Sequence, residues 1–177
     1  RTAAHSTVTV DDTDSSKLIG TGFASRPLST NIAREEESGA VWVDATHDGY
    51  VPRFGLRHRR RIYLDADGED LRGEDRIERV DETSPKNGQP RPLTARFHLH
   101  PSVRASLVKS NQAVLLRLPS GLGWQFHAQG GAIGLHDSVY FGAGGVRRRT
   151  EQVVLSSTTN SDVSVLKWAF RSITAPS

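Results

Sequence analysis

The run His47-Asp48-Gly49-Tyr50 puts an imidazole, a carboxylate and a phenol on one tight turn. Imidazole changes charge near neutral pH and a phenol can pass on a proton, so His47 and Tyr50 are the catalytic candidates. Arg57, His58, Arg59 and Arg60 follow closely. Guanidinium groups grip carboxylate or sulfate in bidentate fashion, so these four are the candidates for holding an anionic substrate. The competing reading is a hydrogen-bonded turn packed against a neighbouring strand.

The remaining histidines offer less. His98 and His100 share one strand face at i, i+2, but a metal needs a third ligand and none lies nearby. Alternation with Phe97 and Leu99 favours a solvated face. His127 alternates with Gln125 and Gln129, and His136 sits beside Asp137 in an expected turn. The glycines at 142, 144 and 145 lack the strand–loop–helix context and the Lys-Ser/Thr of a phosphate loop. No GxSxG or HExxH occurs. Glu69-Asp70 and Glu74-Asp75 are adjacent in sequence, whereas a glycosidase pair must converge from separate elements.

The 177 residues suffice for one well-buried domain, read here as a single unit over 1–177. Zero cysteines exclude disulfides, thiolate metal sites and cysteine nucleophiles. No apolar run approaches the roughly 20 residues of a membrane helix, and no signal-peptide pattern opens the chain. The net charge is +3 with an arginine excess, clustered at Arg57–Arg61 and Arg147–Arg149. That field favours anionic partners, acidic polysaccharide as well as nucleic acid.

Short alternating runs broken by Gly, Asn, Asp and Pro dominate, the pattern of an all-β chain. Strands are expected at Ser6–Val10, Asn31–Glu37, Ala40–Thr46, His58–Asp65, Gly73–Val80, Leu93–His100, Ala113–Leu118, Gly123–Gln129, Ala132–Leu135, Ser138–Phe141, Thr150–Leu155 and Val163–Ile173. Lys17–Thr30 reads as irregular, and Asp81–Pro92 as a long loop within one domain. Gly49 is expected to supply a positive φ, and Asp65–Gly68 to close a hairpin. In the strand after the turn, His58, Arg60, Ile62 and Leu64 share one face, and Arg59, Arg61 and Tyr63 the other. These strands predict an antiparallel β-sandwich.

The segments TAAHSTVTVDDTDSS, WVDATHDGY, HRRRIYLDADGEDLRGED, RFHLHPSV, LLRLPSG, GWQF and RRTEQVVLS, taken in order, resemble the C-terminal part of bacterial heparinase II/III-like proteins. The resemblance covers nearly the whole chain. It implies an N-terminal helical toroid joined to an antiparallel β-sandwich, of which this chain matches only the later portion. The chain is therefore expected to be a fragment without its toroid.

The family reaction is β-elimination on polysaccharides that contain uronic acid, glycosaminoglycans among them. The resemblance implies that its Tyr, His and Asn groups lie largely on the helical domain, so the fragment alone is expected to be inactive. It also implies a zinc held in some members by two His and one Asp. His5, in Ala4-His5-Ser6-Thr7, matches the third ligand and is the metal candidate. With the other ligands upstream, tight zinc binding by this chain is not expected. Partners implied are acidic polysaccharide and the protein's own helical domain, in a periplasmic or secreted setting. The alternative is a non-catalytic carbohydrate-binding or structural β-module. A nucleic-acid binder is a weaker reading, with no recognised motif.

Overall fold

Alternating burial makes the strands. Along the strand that holds Leu93, Ala95 and Phe97, these three turn inward while Thr94, Arg96 and His98 turn outward. The computed structural model describes residues 1–16, 18–19, 23–24, 29–80, 89–108, 110–160 and 162–173. In chain order the strands are β1 (Val8–Val10), β2 (Leu18–Ile19), β3 (Phe23–Ala24), β4 (Thr30–Glu37) and β5 (Ala40–His47). A one-turn helix, α1 (Val51–Phe54), leads into β6 (Leu56–Leu64) and β7 (Asp70–Arg79). Then come β8 (Pro92–His98), β9 (Arg104–Val108), β10 (Ala113–Arg117), β11 (Gly123–Gln129), β12 (Ala132–Phe141), β13 (Arg147–Thr158) and β14 (Val163–Ile173).

All pairings are antiparallel. A four-stranded sheet runs β1-β8-β13-β12, an eight-stranded sheet runs β4-β5-β6-β7-β14-β11-β10-β9, and β2 and β3 form a separate ribbon. The two larger sheets pack face to face as the expected sandwich. Val8, Val10, Leu93, Phe97, Val153 and Leu155 come from the smaller sheet. Leu56, Ile77, Val114, Leu116, Phe126, Leu166 and Trp168 come from the larger one. Phe97 lies at the centre, with ring centroids 4.9 Å from Trp168, 5.2 Å from Phe126 and 5.6 Å from Phe170. Such aromatic pairs contribute roughly 0.5–1.5 kcal/mol each beyond area burial.

Several expectations change. The strands expected at Ala132–Leu135 and Ser138–Phe141 are one, because His136 and Asp137 keep their ladder partners Gln152 and Glu151. β13 extends back through Arg147–Arg149, and β9 and α1 are additional. The strand expected from Ser6 begins only at Val8, after a 3-10 turn, Thr2–Ala4, and His5 lies between the two. Part of Lys17–Thr30 is the β2–β3 ribbon and Thr30 opens β4, while residues 17, 20–22 and 25–28, like residues 81–88 of the expected loop, lie outside the described residues. Gly49 does not take a positive φ. It is there for space, since a Cβ would stand 2.5 Å from the Ser15 carbonyl oxygen.

Gly73 answers a tighter demand. A Cβ at this position would lie 2.1 Å from Cζ2 of Trp168, so the indole occupies the place of a missing side chain. Gly73→Ala is expected to destabilise the domain by about 1–3 kcal/mol through overpacking, read as a lower urea midpoint with an unchanged m-value.

Candidate functional site

β5, β6 and β7 are neighbours, so the outward and inward faces of three strands stack in register. On the inward face His47 pairs with His58, and Arg60 with Asp75. Asp75 is 1% exposed and His58 is 3% exposed. A buried carboxylate must fill its acceptor positions, and this one fills four. Oδ1 accepts from His58 Nε2 at 2.7 Å and Arg60 Nε at 2.7 Å. Oδ2 accepts from an Arg60 terminal nitrogen at 2.8 Å and Trp168 Nε1 at 2.9 Å.

The histidines extend this network in one direction. The Gly49 N–H donates to His47 Nδ1 at 3.1 Å, so that nitrogen is an acceptor. His47 Nε2 then carries the proton and donates to His58 Nδ1 at 3.1 Å. His58 donates from Nε2 to Asp75. Hydrogen-bond geometry thus assigns both tautomers. Burial pushes the His47 imidazole down to about 4, with the His58 ring adding to the effect. Burial would raise the Asp75 carboxyl, but bonds from His58 and Arg60 outweigh it and hold the group well below the usual range.

The network also crosses the sandwich. The third Arg60 nitrogen donates to the Ser6 carbonyl at 2.5 Å, just ahead of β1. Tyr50 is fully buried and donates its hydroxyl to the Val8 carbonyl at 2.7 Å. Burial raises its phenol above the ordinary value. The His47 and Tyr50 rings lie 5.6 Å apart, yet their polar atoms have different partners. The Asp48 carboxylate accepts from the Ser29 N–H.

The four anion candidates divide by strand alternation. His58 and Arg60 point into the sandwich, and Arg57 and Arg59 point out. Arg59 chelates Asp44 through Nε and a terminal nitrogen, joined by Arg61 at 3.4 Å. His5 is exposed. Among the described residues no group of three or more His, Asp or Glu side chains is placed to hold a metal ion. Asp75 and Trp168 are the partners that sequence reasoning missed. Asp75 reads there as half of a surface Glu-Asp pair, and only the β6–β7 and β7–β14 registers reveal it as the acceptor.

The chain belongs to the heparinase II/III-like C-terminal family, whose model matches residues 1–169. It is 34% identical over 181 residues to the FtsZ-localized protein C of Caulobacter vibrioides, covering 90% of this chain and 31% of that protein. The heparan sulfate lyase HepC of Pedobacter heparinus shares the fold, with a TM-score of 0.74 at 12% identity over 99% of this chain and 25% of its own. A heparinase III gene product also shares it, with a TM-score of 0.71 at 12% identity over 98% of this chain and 24% of its own. The chain thus spans about a third of the curated relative and a quarter of these lyases.

Two outcomes follow from the buried network. Asp75→Asn places an amide donor among donors, and unfolding by urea is expected to show a loss of about 3–5 kcal/mol. Unfolded His47 takes up its proton near 6.5, whereas folded His47 does so only near 4. The unfolded state therefore holds more protons in that window, and stability falls as pH drops from 6.5 to 4 by up to about 1.4 kcal/mol per unit. The Asp75 contribution is lost only at lower pH, below the unfolded carboxyl value. A His47→Gln variant is expected to show a flatter Tm-against-pH profile between 6.5 and 4 while keeping the acid transition below it.

Proposed function

We propose that this chain is the C-terminal β-sandwich of a longer heparinase II/III-like polysaccharide lyase, and that it supports the reaction without performing it. The observation that carries this reading is the closed network from Gly49 to Asp75. His47, Tyr50, His58 and Arg60 have their polar atoms engaged with one another, with Asp75 or with backbone. Elimination needs the uronate carboxylate neutralised, a base to take the proton beside it, and an acid to protonate the leaving glycosidic oxygen. A base held as an internal donor and a phenol bonded to a buried carbonyl are poorly placed for those steps.

In this reading the catalytic groups lie outside the chain, on a helical domain. A zinc touching His5 would take its other ligands from outside as well. The second reading is a non-catalytic carbohydrate-binding or structural module. The name of the Caulobacter vibrioides relative supports it, since that name refers to localisation with FtsZ and not to a lyase.

The test is ultraviolet absorbance of the unsaturated uronate product, with heparin, heparan sulfate and alginate as substrates. Activity is expected in the full-length protein and not in residues 1–177 alone. Turnover by the isolated chain would return His47 and Tyr50 to the catalytic role. No turnover by either would favour the non-catalytic module.

A further inference from the structure

The outer face of the eight-stranded sheet forms a groove of about 1030 Å³ across β5, β6, β7, β14 and β11. Its position follows from strand alternation. Residues that point away from the core on five adjacent strands line up in cross-strand rows, Trp42 beside Tyr63 beside Arg72 beside Ala169. Ala169 is small and keeps the floor low. Trp42 is 44% exposed although it is a large aromatic residue on a central part of a strand. Its ring leans on Tyr63, with centroids 4.3 Å apart, and the Arg72 guanidinium lies 5.9 Å from the Tyr63 ring centre. The aromatic pair is thus braced sideways across two strands, and Trp42 stays open to solvent.

The charges around the platform are unevenly matched. Asp44 is shared by Arg59 and Arg61. Asp70 is shared by Arg72 and Arg171. Each of these two carboxylates therefore meets two guanidinium groups, while Glu35, the ladder partner of Trp42 on β4, places a negative charge at the other edge of the platform. Glu74 lies between Lys167 and Arg76, and Arg76 also pairs with Glu78. The side chains of Arg61, Arg72, Lys167 and Arg171 are all more than half exposed. Guanidinium groups anchored through one edge keep their remaining donors for a second anion.

We propose that this groove binds an anionic sugar chain, with the pyranose face of one unit on Trp42, its carboxylate or sulfate against Arg72, and the anionic groups of neighbouring units against Arg171, Arg61 and Lys167. One stackable apolar ring face with an anion at its rim is the chemistry that a single platform edged by guanidinium groups fits. The identity of the sugar as part of a uronate polymer rests on the proposed function, and the groove itself does not. It lies on the opposite side of the sheet from the His47–Asp75 network and meets it at one place, where Gly73 leaves the Trp168 ring in the groove lining and the indole N–H donates to Asp75.

The experiment is isothermal titration of a heparin octasaccharide and an alginate hexamer into the 177-residue chain, and into the full-length protein, at low salt. Trp42→Ala and the double change Arg72→Gln with Arg171→Gln are each expected to weaken binding about tenfold or more, with Tm retained. Arg147→Gln with Arg148→Gln, far along β13, is expected to change affinity less than about twofold. Equal loss in that remote variant would mean diffuse attraction and overturn the proposal, as would undiminished binding in the groove variants. Tighter binding to duplex DNA than to either sugar, or no binding by the unaltered chain, would overturn it as well. Uronate elimination by the full-length protein with a groove that binds nothing would leave the proposed function intact and remove this inference. Groove binding without elimination would do the reverse.

Discussion

The sandwich depends on one ionised carboxylate. Asp75 sits where water cannot reach it, and an unpaired charge there would be expelled or neutralised. It stays charged because β6 and β14 bring it an imidazole, a guanidinium and an indole N–H. Each donor in turn fixes something else. Trp168 can reach Oδ2 only because Gly73 leaves room, and its ring then packs on Phe97 from the other sheet. Arg60 lies with its guanidinium 5.5 Å from the Trp168 ring centre and extends to the Ser6 carbonyl. His58 hands the order on to His47 and so to the turn at Gly49. A single buried acceptor thereby sets the rotamers of residues on four strands and ties the start of β1 to the larger sheet. Buried polar networks of this kind favour one arrangement over its near neighbours, since any slip leaves a donor unpaired.

β6 shows how one strand can serve two environments. His58 and Arg60 complete the interior, while Arg59 and Arg61 meet Asp44 outside. A run of basic residues that looks like one cationic patch is two half-sets separated by the thickness of a sheet. The functional consequence is a division of labour. The interior half holds the architecture, and the exterior half joins the charged surface around Trp42 and Tyr63. Each nitrogen of His58 and Arg60 has an internal partner.

The sequence alone determined the class of fold, most of the strands, and which face of each strand is apolar. Those are local properties: a period of two along β8 or β14 needs no partner to be seen. The family was legible in the ordered segments from TAAHSTV to RRTEQVVLS. The nearness of His47 to Tyr50 was legible too, because a four-residue turn leaves little choice. Tertiary structure decided what those residues do. The tyrosine hydroxyl meets the Val8 carbonyl 42 positions away, and Asp75 meets Trp168 93 positions away. Neither pair has a sequence signature, because an Asp beside a Glu in a hairpin is most often a solvated charge. Only strand order places β7 between β6 and β14 and turns that Asp into a buried acceptor. The same order assembles the outer groove from five strands, since pairing across a sheet, and not spacing along a chain, decides which exposed side chains become neighbours.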